Sequence, residues 1–154
     1  MMVGSHVLIG ASSWMAVAPM LGGTINAAGL VCAAAGALLP DIDHPKSWVG
    51  RRLWLISLPL GTLLGHRGVT HSLFAVLLAV MVCHAEKANC HWLAPVVVGY
   101  LSHLGADLIS GGVPLFWPLR RTVSLPLCRT GSWSEFAATA ILLALLLQNR
   151  ALQF

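Results

Sequence analysis

A chain of 154 residues that is 57% apolar, 9% charged and of mean hydropathy +0.80 cannot cover a water-facing surface, which in a soluble domain takes about 25% charged residues. These figures exclude an ordinary soluble enzyme and predict an integral membrane protein built as one domain over residues 1–154. The formal charge of +4 comes without a basic helix, a zinc-finger spacing or a stacking platform, so direct nucleic-acid binding is not expected.

The N-terminus, Met1 to His6, has neither the basic flank nor the small-residue cleavage pattern of a secretory signal, so the first apolar run reads as retained. That run, about His6 to Leu21, is turned by Gly22-Gly23. The second, Thr24 to Leu39, carries Gly29, Ala33 and Ala37 at four-residue intervals, a spacing that lets helices approach closely in lipid. Both runs fall a little short of the ~20 residues that cross a bilayer. They read as a tight pair of crossing helices, with a hairpin that dips into the membrane as the alternative. Next come Leu38-Leu39-Pro40-Asp41-Ile42-Asp43-His44-Pro45 and then Lys46, Arg51 and Arg52. Leu53 to Leu64 is apolar but short and contains Pro59 and Gly61, so an interfacial or re-entrant segment is predicted.

After the polar break Gly65-His66-Arg67-Gly68, Val69 to Ala85 reads as a span. A short turn with Glu86 and Lys87 follows. Trp92 to Ser110 is the next span, with His103 and Asp107 in its last two turns, and Gly111-Gly112-Val113-Pro114 ends it. Phe116, Trp117 and Trp133 suit a loop at headgroup depth. Phe136 to Leu147 is an apolar helix whose crossing is open. The expected fold is therefore all-α: a membrane-embedded bundle of four core transmembrane helices, a re-entrant or interfacial segment and a candidate fifth span at the C-terminus.

If Leu53–Leu64 does not cross, then His6, Asp41–His44, His66–His71 and His103–Asp107 share one face of the membrane. The same arrangement gathers Lys46, Arg51, Arg52, Arg67, Arg120, Arg121 and Arg129 on that face and leaves Lys87 opposite. Basic loops lie on the cytoplasmic side, so the shared face is expected there.

Each polar group has an ordinary reading when taken alone. His103 and Asp107, at i and i+4, share a helix face and could be a simple side-chain contact. Asp41 and Asp43 could cap a turn, and His6, His66 and His71 could be interfacial. Together they are harder to dismiss, because every aspartate in the chain has a histidine within four positions. A carboxylate costs about 2.5–3.5 kcal/mol at mid-bilayer, so groups converging on one face call for a neutralising cation.

His6, Asp43, His66, His71, His103 and Asp107 are the expected metal ligands. Asp41 and His44 are expected to bridge, to orient or to act as base, and Arg67 to grip a phosphate through its planar fork. Mixed imidazole and carboxylate ligation fits a divalent transition metal, zinc first, with manganese and iron as the other candidates. The number of groups allows one or two ions. Such a site would lower the pKa of a bound water towards ~7 and stabilise the oxygens of a phosphoester in hydrolysis. Ser5, Ser72 and Ser102 each adjoin a histidine, but neighbours on a helix do not face each other, which sets a serine nucleophile aside. The cysteines form no CxxC. Cys32 reads as helix packing, and Cys83 and Cys90 flank a turn on the face where a disulfide is chemically allowed.

The motifs His6, Leu38-Leu39-Pro40-Asp41-Ile42-Asp43-His44-Pro45-Lys46-Ser47, Gly65-His66-Arg67-Gly68-Val69-Thr70-His71-Ser72, Gly99-Tyr100-Leu101-Ser102-His103 with Asp107, Gly112-Val113-Pro114-Leu115 and Trp117-Pro118 recur in order over residues 4–120. In these the chain resembles the bacterial inner-membrane family of LexA-regulated, membrane-bound, metal-dependent hydrolases, the YdjM-like family. The C-terminal loop and helix, residues 121–154, lie outside the motifs.

The resemblance implies a multi-pass protein of the bacterial inner (cytoplasmic) membrane, a hydrolase activity, and a link to the SOS response through transcription. With the one-sided placement of the motifs, it leads us to expect a phospholipid or lipid-linked phosphate substrate at the cytoplasmic face. A metal or proton transporter is the first rival. It would place polar groups near the midplane on broken helices, often in paired repeats, whereas here they fall at span ends and no repeat is visible. A non-catalytic membrane protein with a structural metal is the second.

Overall fold

The computed structural model describes residues 1–64, 68–85, 92–119, 121–125 and 127–151. Among them, regular structure is helical apart from an isolated antiparallel bridge between Val113 and Val123. Helix α1 spans Val3–Val17 and continues as a 3-10 turn, Ala18–Leu21, closed by Gly22 at φ 68°, a left-handed position that glycine fills without strain. Helix α2, Ala27–Gly36, is capped by Asn26, whose side chain accepts the Gly29 N–H at 2.8 Å. Pro40 turns the chain into the 3-10 segment Leu39–Asp43, which bears both aspartates of the first motif.

Two short helices follow, α3 (Trp48–Arg52) and α4 (Trp54–Leu64). The latter runs straight through Pro59, which forfeits one backbone bond without ending the helix. A second 3-10 turn, Val69–His71, leads into α5 (Leu73–Ala85), and α6 (Leu93–Ser110) and α7 (Trp133–Ala151) complete the order.

The expected all-α class holds. Four full-length spans are not seen among the described residues: only α6, at 18 residues, is long and apolar enough to cross a membrane by itself. Helix α1 has 15 residues, α2 has 10 and α5 has 13. At 1.5 Å per residue each is shorter than a ~30 Å hydrocarbon core. The shortfall has local causes, since Asn26 and Pro40 cut the second apolar run at both ends.

Helices α1, α2 and α6 form the centre, and small residues bring them together. A Cβ placed on Gly99 would lie 1.9 Å from the Ala33 carbonyl oxygen, one on Gly36 would lie 2.2 Å from the Val96 carbonyl oxygen, and one on Gly10 would lie 2.7 Å from the Ala37 Cβ. Ala33 and Ala37 are fully buried at this crossing. The third member of the expected stripe, Gly29, instead sits beneath Trp14, where a Cβ would come 2.5 Å from the indole nitrogen.

Helix α7 starts at Trp133, three residues before the apolar run that predicted it. The stretch Ser132-Trp133-Ser134-Glu135 has the form of a capping box, and the Gly131 N–H donates to Glu135 Oε2 at 2.7 Å. The other carboxylate oxygen of fully buried Glu135 takes the Met2 N–H and the Ser5 hydroxyl, the latter at 2.8 Å. An anion is thereby set at the N-terminus of α1, where the helix dipole favours it. Glu135→Ala leaves these donors buried without an acceptor and is expected to cost about 2–3 kcal/mol. A melting temperature in detergent equal to that of the parent chain would show that α7 does not depend on this contact.

Candidate metal centre

The crossing of α1, α2 and α6 also places two imidazoles face to face. His6 lies one turn before Gly10 on α1, and His103 lies one turn after Gly99 on α6. Close backbone approach at the two glycines stacks the rings, with centroids 3.9 Å apart and planes at 15°. His103 Nδ1 lies 2.7 Å from the Ala37 carbonyl oxygen. A carbonyl can only accept, so Nδ1 carries the proton and Nε2 keeps a lone pair.

Asp107 follows one turn later on α6. Its Oδ1 faces His6 Nε2 at 3.4 Å and the Met1 ammonium at 2.9 Å, and its Oδ2 faces His103 Nε2 at 3.7 Å and His71 Nε2 at 4.0 Å.

His71 comes from the turn Val69–His71, which the Tyr100 hydroxyl of α6 holds by donating to the Thr70 carbonyl. The Thr70 hydroxyl donates to Asp43 Oδ2 and lies 3.2 Å from His71 Nδ1. With its own proton given to Asp43, that hydroxyl oxygen can accept the Nδ1 proton, which again leaves Nε2 of His71 as a lone pair. The 3-10 turn Leu39–Asp43 then brings Asp41 Oδ1 to 3.8 Å from His71 Nε2 and 3.9 Å from His103 Nε2.

Lone pairs and carboxylate oxygens thus converge in a buried space. Nε2 of His71 and of His103 have no hydrogen-bond partner among the described residues, whereas His6 faces Asp107 through Nε2 and has its Nδ1 unpartnered. The separations of 3.7–4.0 Å between the Nε2 atoms of His71 and His103 and the facing oxygens are too long for hydrogen bonds. They are a few tenths of an ångström wider than the about 3.3–3.6 Å between ligand atoms held at about 2.0–2.2 Å by a tetrahedral metal, so a small inward movement of the side chains would let them ligate a common ion. Two groups have the geometry to hold a metal ion, His6 with His103 and Asp107, and Asp41 with His71 and His103, the ligand atoms of each lying within 4.8 Å of one another. His103 belongs to both, and its Nε2 has one lone pair to give. The two groups therefore describe one candidate site rather than two.

Of the residues singled out in the sequence, His6, Asp41, His71, His103 and Asp107 come together. Asp43 stands behind His71, on its Nδ1 side, at 3.8 Å. His44 Nδ1 accepts the Lys46 N–H at 3.2 Å and lies outside both groups. His66 and Arg67 lie outside the described residues, as do Cys90 and the side chain of Cys83; Cys32 and Cys128 are free thiols. The serine hydroxyls point elsewhere, Ser5 to Glu135, Ser72 to the Val69 carbonyl and Ser102 to the Gly99 carbonyl.

Sequence reasoning missed Thr70 and Tyr100, although both stand inside the motifs, because their roles depend on contacts between segments. A cavity of about 650 Å³ lies at the far end of α1 and α6, lined by Trp14, Asn26, Cys32 and Trp92 among others. No residue of the cluster lines it, so it is not the metal centre.

A family model described as YdjM inner membrane protein matches residues 1–153. The inner membrane protein YdjM of Escherichia coli (strain K12) is 48% identical over 97 residues, 58% of this chain and 49% of the relative, and that of Shigella flexneri gives the same figures. The uncharacterized protein YvsG of Bacillus subtilis (strain 168) is 36% identical over 104 residues, 66% of this chain and 65% of the relative. The chain spans about half the length of the YdjM relatives it matches. No solved structure matches it.

Proposed function

The chain belongs to the YdjM inner membrane protein family, and from that premise we propose that it is a metal-dependent hydrolase of the inner membrane, acting on a phosphoester at the cytoplasmic face. One observation carries the reading: the Nε2 atoms of His71 and His103 face the carboxylates of Asp41 and Asp107 at 3.7–4.0 Å with no hydrogen bond between them, an arrangement that a shared cation would complete. His71, His103 and Asp107 would hold a single zinc and leave a coordination position open, with His6 against the other oxygen of Asp107. Zinc bound there would polarise a phosphoryl oxygen and acidify a bound water.

Asp41 is the member of the cluster that water reaches, its side chain being 25% exposed against at most 4% for the other four. It would take the proton of that water. Asp43 would orient His71 through Thr70, and Arg67 would grip the phosphate. The described cations Lys46, Arg51, Arg52, Arg121 and Arg129 lie in the segments around this end of the bundle, which supports a cytoplasmic placement. The short helices α1, α2 and α5 would then cross beside α6 where their polar ends reach the interfaces. Control by LexA belongs to the same proposal and concerns expression, not binding of DNA by the protein.

Elemental analysis of the purified chain is the test. About one zinc per chain is expected, with slow hydrolysis of a nitrophenyl phosphodiester that a chelator stops and added zinc restores. Absence of any bound transition metal, together with no hydrolysis under added zinc or manganese, would remove the proposal. Stoichiometric metal without hydrolysis would leave a structural ion.

Thr70→Val keeps the side-chain volume and removes the hydroxyl between Asp43 and His71. Loss of such an orienting partner is expected to weaken zinc about 10–100-fold, measured by competition with a chelating dye. Unchanged affinity would take the Asp43–Thr70 link out of the site.

A further inference from the structure

Asp41 is the partly exposed member of the cluster and so marks the entrance by which a ligand would reach it; the segment next to Asp41 is basic. Ser47 Oγ donates to the Asp41 carbonyl at 2.8 Å and accepts the Gly50 N–H at 2.8 Å, capping α3 while tying it to the aspartate turn. Gly50 is seated on the His44 carbonyl so closely that a Cβ would lie 2.0 Å from the oxygen. Helix α3 is therefore fixed against the entrance, and with it Arg51 and Arg52, both exposed, as is Lys46.

Among the described residues these cations have no anion of their own. From His44 to Ala85 the chain contains no Asp or Glu, and among the described residues no carboxylate pairs with Lys46, Arg51 or Arg52. The Arg52 guanidinium lies flat over Trp48, 3.7 Å from the ring centroid, and donates to the Trp48 carbonyl at 3.2 Å. That use leaves most of its five N–H groups outward. Immediately beyond, Leu53, Trp54, Leu55, Ile56 and Leu58 are all exposed. Unpaired cations followed at once by a bare apolar helix match the layering of headgroup phosphate over acyl chain.

We infer that the elbow of α3 and α4 is a headgroup site for anionic phospholipid, with Arg51, Arg52 and Lys46 holding the lipid phosphate at the Asp41 entrance while α4 lies among the acyl chains. This deepens the phosphoester reading and names the substrate class: a glycerophospholipid whose headgroup carries net negative charge. Free phosphate lacks the apolar part that α4 would contact, so the lipid is the ligand that both halves of the elbow recognise.

The full chain, purified into micelles doped equally with phosphatidylglycerol and phosphatidylcholine, would be examined by native mass spectrometry. Retention of phosphatidylglycerol over phosphatidylcholine is expected. Arg51→Gln with Arg52→Gln should reduce that preference about thirtyfold, each cation near an anionic headgroup contributing about fivefold. Arg129→Gln, on the loop before α7, should leave it unchanged. Equal retention of the two lipids by the parent chain, an unaltered preference in the double variant, or displacement of the lipid by millimolar inorganic phosphate would each overturn the inference. The readout is binding and not turnover. A chain that retains the anionic lipid through Arg51 and Arg52 yet hydrolyses nothing would therefore sink the enzymatic proposal alone.

Discussion

His103→Ala is expected to purify with less than about a tenth of the zinc held by the parent chain, the largest loss of metal from any single substitution in the cluster. His103 is the residue common to both candidate groups, so neither group keeps its three members once it is removed. Its Nδ1 also ties α6 to the Ala37 carbonyl, and its ring is the stacking partner of His6. Because the substitution also removes a buried hydrogen bond, some loss of stability is expected alongside the loss of metal, about 1–3 kcal/mol. The two effects separate on titration: zinc should raise the melting temperature of the parent chain and leave that of His103→Ala unmoved, since only a ligand that binds the folded state stabilises it. A variant that keeps stoichiometric zinc would show that the ion sits elsewhere.

Gly99→Ala should be the most damaging of the conservative changes. The added methyl would stand 1.9 Å from the Ala33 carbonyl oxygen and 3.0 Å from the Ala37 nitrogen. Both are backbone atoms of α2, which no rotamer change can move aside, so the helices must part. Overpacking of this kind costs about 3 kcal/mol, and here it would also pull His103 away from His6 and weaken metal binding.

Gly105→Ala, six residues along the same helix, is the matched control. A Cβ there meets nothing within 4 Å, so the change should be neutral or stabilise by up to about 1 kcal/mol through helix propensity. Equal melting temperatures for the two variants would contradict the close crossing of α2 and α6.

Membrane class and helical class were legible in the sequence because each rests on local chemistry, and of the nine residues named for the site five come together among the described residues. A chain with 9% charged residues has too little polar surface for water whatever its fold. The helical period alone puts Asp107 on the face of His103, and the structure finds them 3.7 Å apart. The division of labour between Asp41 and Asp43 was not legible. Residues two apart in an irregular turn can point either way, and only packing of that turn against Val69–His71 directs Asp41 to the cluster and Asp43 to Thr70.

Likewise the pairing of His6 with His103 depends on where α1 and α6 cross, which Gly10 and Gly99 set through contacts with α2. The anchoring of α1 by Glu135 joins residues more than a hundred positions apart. Composition and periodicity report what each segment is compatible with. Which side chains meet depends on close backbone approach between segments, and that is decided only when the helices pack.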